Sequence, residues 1–284
     1  MKQWKERAMH IVFLVAACMS IMAVILICVF LFGNGIPAIQ KIGWLEFLFG
    51  EIWRPSNNLY GILPMILGSI YVTAGAIVIG VPIGILTAIF MAFYCPKKIY
   101  PGLKAATELL AGIPSVVYGF FGLVVLVPVI REFLPPGYDG NSMLTASVLL
   151  GIMILPTIIG VTESALRAVP ISYYEGTLAL GATHERSIFK VVLPAAKSGV
   201  TAGVILGIGR AIGETMAVIL VAGNQPRMPK GLIEGVRTLT SNIVIEMGYA
   251  TDLHREALIA TAVVLFVFIL LINLCASALQ QKKS

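Results

Sequence analysis

Long runs of apolar residues constrain the fold of this chain more than any other feature. Six runs are almost free of charge, and each is near or above the roughly 20 residues that let an α-helix cross the ~30 Å hydrocarbon core of a membrane. We place these spans at Met9–Phe32, Met65–Tyr94, Leu109–Ile130, Met143–Val161, Ala195–Ala222 and Ala257–Leu279. With 58% hydrophobic and 12% charged residues, the composition excludes an ordinary soluble domain. The sequence therefore predicts an all-α, polytopic protein with six transmembrane helices that are surrounded by membrane lipid.

The positions of these runs divide the chain into two sections. Residues 1–64 hold the N-terminal tail, the first transmembrane helix and an outer loop, and residues 65–284 form a core with five transmembrane helices. A long polar loop at residues 163–194 lies within this core, on the inner side. The first apolar run is longer than the apolar core of a signal peptide, so we expect it to remain as an uncleaved helix.

The basic residues give the spans an orientation. With the N-terminus inside the cell, twelve of the 20 Lys and Arg residues lie on the inner side and seven on the outer side. This excess of cytoplasmic positive charge predicts that both termini are cytoplasmic. The basic residues cluster beside apolar spans rather than along a polar face, which argues against nucleic-acid binding. In the first outer loop, Trp44, Trp53 and Tyr60 are suited to the membrane interface.

Glycines recur at four-residue intervals in two of the spans. Gly80 and Gly84 share one face of the second span, and Gly199, Gly203 and Gly207 share one face of the fifth. Such faces let helix backbones approach closely, so we expect both to pack tightly against neighbouring helices.

Two charged residues, Arg210 and Glu214, lie in the fifth span. A charge near the bilayer centre costs roughly 2.5–3.5 kcal/mol, and such residues commonly mark an ion pathway. In a continuous helix their i, i+4 spacing places both on one face, within pairing distance. The guanidinium of Arg210 offers a fork of donors that matches tetrahedral oxyanions. We predict an anion pathway here, with Thr215 and Ser115 as additional donors, and keep a structural ion pair as the alternative.

The inner loop alternates apolar and charged residues in YEGTLALGATHERSIFKVVLP, which predicts short helices along the cytoplasmic face. Gly181 fits a break between them, and Pro194 fits the start of the next helix. The pattern resembles the EAA loop of ABC importer permeases, with Glu175, Gly181, Leu193 and Pro194 in the places of its acidic residue, glycine and closing Leu-Pro. The resemblance implies the type I (MetI-like) permease fold. It also implies that the loop, from Glu175 to Leu193, docks on a separate ATPase subunit.

A closer resemblance rests on three segments. The inner loop, AGIPSVVYGFFGL (Ala111–Leu123) and GRAIGETMAV resemble phosphate-specific ABC permeases, and the Met-Ala-Val ending is similar to the PstC type. The resemblance covers most of the chain and implies a role in phosphate passage for Arg210 and Glu214. It implies a bacterial plasma membrane, no cofactor, and three partners: a PstA-type permease, a PstB-type ATPase dimer and an extracytoplasmic phosphate-binding protein. The binding protein would dock on the outer loops, Gly33–Pro64 and Gly223–Glu256.

The residues alone leave other functions open. No Walker A pattern occurs, so ATP hydrolysis would belong to a separate subunit and we do not expect an enzyme. A permease for another oxyanion, such as sulfate, molybdate or tungstate, remains an alternative. So do a membrane-embedded enzyme and a phosphate-signalling scaffold. The three histidines are scattered, no two cysteines have metal-ligand spacing, and neither HExxH nor GxSxG occurs, which predicts no metal site.

Overall fold

The computed structural model describes residues 2–281, which are mostly helical. The helices are α1 (Lys2–Ile42), α2 (Trp44–Phe49), α3 (Leu63–Ile89), α4 (Tyr100–Gly112), α5 (Ser115–Phe121), α6 (Val127–Glu132), α7 (Met143–Ala168), α8 (Ile171–Ala179), α9 (His184–Ser187), α10 (Leu193–Ala195), α11 (Lys197–Gly213), α12 (Met216–Val221), α13 (Leu239–Met247) and α14 (Asp252–Gln281). The strands β1 (Trp53–Arg54) and β2 (Leu59–Tyr60) form an antiparallel hairpin around the 3₁₀ turn Pro55–Asn57. Segments of π-helix extend α3 (Phe90–Tyr94), join α5 to α6 (Gly122–Leu126) and join α9 to α10 (Ile188–Val192).

Within residues 2–281, five helices are long and apolar enough to cross a membrane, and a sixth crossing results if one bent pair counts as a single span. The predicted all-α membrane fold is confirmed. The third span begins at Ser115 rather than at Leu109, because Ile113 and Pro114 are extended and separate it from α4. A residue that precedes proline is biased away from helical geometry, which explains this break.

The predicted fifth span differs most from the structure. Its helix α11 follows the segment His184–Ala195 at an angle of 72° and ends at Gly213. The remainder of the predicted span is the separate short helix α12, which begins at Met216. The expected continuous helix from Ala195 to Ala222 is therefore wrong, and its charged residues sit at a helix break.

Helix α7 lies at the centre of the bundle, between α3 and α11. An added Cβ on Gly80 would lie 2.7 Å from the carbonyl oxygen of Gly151, and one on Gly84 would lie 2.8 Å from the side chain of Ile158. On α11, at the other side of α7, a Cβ on Gly207 would lie 2.9 Å from the same Ile158. Both glycine faces pack against α7 as expected, because only a missing side chain allows this approach.

The end of α1 attaches this long helix to the bundle. Its Gly35 lies against Val263 of α14, and the rings of Phe32 and Phe266 meet edge to face at 5.9 Å. The large apolar side chains from Met9 to Phe30 are half exposed or more, as expected for a helix that faces lipid.

The first outer loop packs more tightly than its sequence indicates. Trp53 and Tyr60 are buried, at 5% and 2% exposure, whereas Trp44 on α2 is 51% exposed. Of the three aromatic residues expected at the membrane interface, only Trp44 is placed to reach it. The other two form part of a core beneath the β-hairpin.

Candidate functional site

The break between α11 and α12 brings polar groups into the apolar bundle. Gly213 is the last residue of α11, Glu214 is extended with ψ of 132°, and α12 starts after Thr215. The hydroxyl of Thr240, on α13, donates to the carbonyl of Glu214 at 3.1 Å. The hydroxyl of Thr215 donates to the carbonyl of Gly213 at 3.3 Å. The backbone groups that the break exposes thus find side-chain partners, as they must inside a membrane.

The carboxylate of Glu214 caps the helix that follows it. One oxygen, Oε1, accepts hydrogen bonds from the backbone N–H groups of Thr215 at 3.1 Å and of Ala217 at 3.2 Å. A negative charge at this end also interacts favourably with the dipole of α12. The expected pairing of Arg210 with Glu214 on one helix face is wrong, because α11 ends between them and their side chains form no salt bridge among the described residues.

Arg210 has no partner of its own within residues 2–281. It lies in the last turn of α11, is partly exposed, and takes part in none of the side-chain hydrogen bonds or salt bridges of this part of the chain. An unpaired guanidinium at membrane depth leaves its fork of donors available to an anion.

Ser115 starts the helix that runs beside α12. An added Cβ on Gly119 would lie 2.9 Å from the Cα of Ala217, and one on Gly122 would lie 2.8 Å from Val221. The later glycine, Gly122, meets the later residue, Val221, so the two helices run in the same direction. Ser115, one turn before Gly119, and the start of α12, which follows the segment from Arg210 to Thr215, therefore lie at the same end of this helix pair.

One side of this region is open among residues 2–281. An added Cβ on Gly112, Gly209 or Gly213 would meet no atom within 4 Å. On the adjoining face of α5, Val116 and Phe120 are 46% and 63% exposed. An open apolar face beside an unpaired cation is what one half of a pathway between two subunits requires.

The inner loop forms the expected short helices, α8 and α9. Gly181 between them has a φ of +81°, a left-handed conformation that glycine adopts without strain. The hydroxyl of Thr183 caps α9 by accepting from the N–H of Arg186 at 3.3 Å. Glu175 is exposed on α8, and Leu180 is 89% exposed, the most of the large apolar side chains on this loop. The predicted break at Gly181 is confirmed, and the loop presents an apolar tip beside an acidic residue.

Two of the predicted loop residues, Leu193 and Pro194, lie in the short helix α10, just before the bend into α11. Leu193 is partly buried and packs against the core under the loop, whereas Pro194 is exposed. Their position links the loop mechanically to the helix that carries Arg210.

Sequence reasoning missed a buried carboxylate near the C-terminal end of α7. The side chain of Glu163 is only 2% exposed and accepts from the hydroxyl of Tyr100 at 2.6 Å, Nζ of Lys104 at 3.1 Å and Nε of Arg167 at 2.8 Å. The hydrogen bond to this carboxylate raises the pKa of Tyr100, which keeps its hydroxyl a donor. The fourth span was expected to end at Val161, which placed Glu163 in a solvated loop. In the sequence, the closeness of Glu163 to an apolar run was the signal that could have indicated its burial.

A second buried carboxylate lies at the other end of the bundle, near the start of α3. Oε1 of Glu246 is 2.5 Å from Nη1 of Arg237, and Oε2 is 2.8 Å from Nε1 of Trp53 and 2.8 Å from Nε2 of His254. The cluster joins the β-hairpin, α13 and α14. No local pattern predicts it, because its members are distant in the sequence.

Comparison with known proteins agrees with this architecture. Residues 80–284 match the family described as binding-protein-dependent transport system inner membrane component. A probable ABC transporter permease protein, YqgH of Bacillus subtilis, is 40% identical over 93% of this chain and 89% of its own length. A phosphate transport system permease protein PstC, of Mesorhizobium japonicum, is 36% identical over 87% of this chain and 81% of its own length. The fold is similar to a chain of the inward-facing MetNI methionine ABC transporter, with a TM-score of 0.66 at 19% identity, over 82% of this chain and all of that one.

Proposed function

The chain belongs to the inner membrane components of binding-protein-dependent transport systems, as a permease subunit of the PstC type and not an enzyme, and from this premise we propose that it conducts inorganic phosphate. Two observations support phosphate as the substrate. Relatives at 33–36% identity that cover most of the chain are named phosphate permeases. The region that the sequence singles out contains a guanidinium with no protein partner among the described residues.

The free guanidinium of Arg210 is the observation that carries this proposal. In a narrow pathway, a forked donor can replace part of the hydration of phosphate with charge-assisted hydrogen bonds. Because Glu214 is engaged as a cap, its carboxylate does not neutralise Arg210 directly. Its negative charge makes a smaller, second contribution, which weakens the hold of the site on the anion and so favours release. The hydroxyl of Ser115, at the same end of the helix pair, can donate to a remaining oxygen, whereas that of Thr215 would first have to give up its hydrogen bond to the carbonyl of Gly213.

The open face beside Arg210 fits a second permease. In this proposal a PstA-type subunit covers the face formed by Gly112, Gly209 and Gly213 and completes the pathway. An interface of small and apolar residues suits two helices that pack in a membrane.

The inner loop fits an ATPase. The chain contains no P-loop pattern, so the energy source must be a separate protein, in this proposal a dimer of PstB-type ATPases. The exposed tip at Leu180, next to Glu175, offers an apolar anchor with a charged rim, the usual anatomy of a protein interface. Motion of the tip would reach Arg210 through Leu193, Pro194 and α11.

The outer loops fit an extracytoplasmic phosphate-binding protein, with both termini of the chain in the cytoplasm of a bacterial cell. This orientation puts the inner loop and its flanking basic residues on the cytoplasmic side, as positive charge requires. It puts the cluster around Glu246 on the outer side, where it holds the docking loops in a fixed arrangement.

Uptake of radiolabelled phosphate by a strain that lacks this chain tests the proposal. We expect the full-length chain to restore uptake, and we expect excess unlabelled sulfate or molybdate to compete weakly. Co-purification with a P-loop ATPase whose activity rises with phosphate-loaded binding protein is the second expected result. Restored uptake of sulfate or molybdate in place of phosphate would instead support a permease for another oxyanion.

A further inference from the structure

The buried carboxylate of Glu163 connects three parts of the bundle at its inner end. Its partners Tyr100 and Lys104 lie in the first turns of α4, and Arg167 lies one turn along α7. Arg167 also donates from Nη2 to the carbonyl of Met91, in the π-helical segment that ends α3, at 2.9 Å. Its guanidinium lies 4.8 Å from the centre of the Tyr100 ring. One carboxylate thus holds the ends of α3, α4 and α7 together.

The same π-helical segment carries the inner loop. The ring of Tyr94 meets that of His184 edge to face at 4.8 Å, and the ring of Phe93 stacks on that of Tyr174 at 6.4 Å. The hydroxyl of Tyr174 lies 2.6 Å from Nδ1 of His184, which joins α8 to α9. The inner loop, which we propose binds the ATPase, therefore packs on Phe93 and Tyr94, close to the carbonyl of Met91 that Arg167 contacts.

At its other end, α4 reaches the candidate pathway. The helix has 13 residues, about 20 Å at 1.5 Å per residue, and ends at Gly112, three residues before Ser115. The hydroxyl of Tyr118 donates to the carbonyl of Leu110 at 2.9 Å, so the end of α4 is tied to α5. Helix α4 is thus a rigid connection from the Glu163 cluster to the level of Ser115.

We propose that Glu163 is a positioning residue that couples the inner loop to α4, so that displacement of the loop by the ATPase moves the pathway end of α4. The inference rests on the proposed function. A carboxylate that is only 2% exposed between two cations resists separation, because breaking one contact leaves part of its buried charge uncompensated. The elements that it joins must then move as one body. Without it, Lys104 and Arg167 repel each other and α4 is released from the loop.

The test is the number of ATP molecules hydrolysed per phosphate transported, measured for the complete transporter with its binding protein in proteoliposomes. Glu163→Gln keeps the shape of the side chain and removes its charge. We expect the ratio to rise about threefold to tenfold, which lies within the roughly twofold to thirtyfold effects of substitutions that alter coupling between sites. The apparent KM for the loaded binding protein should stay unchanged, because the outer side and Arg210 are untouched.

Glu246→Gln is the matched control. Glu246 is also buried, also has three side-chain donors, and lies on the outer side, away from the loop. Because its cluster holds the proposed docking loops, we expect Glu246→Gln to lower thermal stability as Glu163→Gln does and to raise the apparent KM for the loaded binding protein, while the ratio at saturating binding protein stays unchanged. An unchanged ratio in Glu163→Gln, or an equal rise in both variants, would overturn the coupling role.

Tyr100→Phe decides the question if Glu163→Gln does not assemble. It removes one hydrogen bond from Glu163 and keeps every charge, so the complex should form and the ratio should rise about twofold. An unchanged ratio in this variant would overturn the inference. If the wild-type transporter moves sulfate or molybdate and no phosphate, the proposed function fails, and the same ratio measured with that anion tests Glu163 separately.

Discussion

The cap that Glu214 forms on α12 predicts different results for two substitutions of this residue. Glu214→Ala removes the single oxygen that accepts from the N–H groups of Thr215 and Ala217, at 3.1 and 3.2 Å. Loss of a helix cap costs about 0.5–2 kcal/mol. Glu214→Gln keeps an acceptor oxygen in the same place and loses only the charge, which contributes about 0.3–1 kcal/mol at a helix N-terminus. The alanine variant should therefore be the more damaged of the two.

The difference between the two variants can be measured as transport. A gap of about 1 kcal/mol corresponds to a roughly fivefold change in the population of the intact break. Initial rates of phosphate uptake at matched membrane expression should fall slightly for Glu214→Gln and several-fold for Glu214→Ala. Thermal unfolding of the solubilised complex should rank the variants in the same order. If the glutamine variant were as inactive as the alanine variant, the charge of Glu214 would matter more than its cap, and the capping account would be refuted.

Two further substitutions test the packing and the loop. Gly80→Ala should lower the free energy of unfolding by about 1–3 kcal/mol, because its Cβ would press on the backbone of Gly151, whereas Gly160→Ala, where a Cβ meets no atom within 4 Å, should be nearly neutral in the same thermal assay. Leu180→Asp should weaken ATPase binding about tenfold or more in a pull-down titration without lowering the stability of the permease, since this side chain is 89% exposed. ATPase binding at wild-type affinity would show that the tip of the loop is not the contact.

The spans and the loop follow from local sequence because their signals are local. A run of apolar residues is visible without knowledge of its neighbours, and so is a glycine between two short amphipathic segments. The break at Glu214 is less visible. No proline marks it, and the i, i+4 argument assumes the continuous helix that the structure lacks. Gly213 and the hydroxyl residue Thr215 beside the charged residue were the available signals of a capped break.

The buried clusters could not be predicted from sequence. Glu163 finds Tyr100 and Lys104 about 60 positions earlier, and Glu246 finds Trp53 nearly 200 positions earlier. Such pairs depend on which helices become neighbours, which a single sequence does not reveal. For the same reason the sequence does not reveal that Trp53 and Tyr60 are covered by protein, although their aromatic side chains suit a membrane interface. A charged residue near the end of an apolar run is therefore the sequence feature for which distant partners should be sought.

The central claim is that the unpaired guanidinium of Arg210 contacts the transported anion, and phosphate uptake by Arg210→Ala tests it most directly. Arg131→Ala, which changes an exposed arginine at the end of α6, outside both proposed docking loops and the inner loop, is the matched control. Loss of charge-assisted hydrogen bonds worth about 1.5–3 kcal/mol should reduce the initial rate about tenfold to a hundredfold. The assembled complex should still form, and the control should transport normally. Uptake by Arg210→Ala at the rate of the control would contradict the claim.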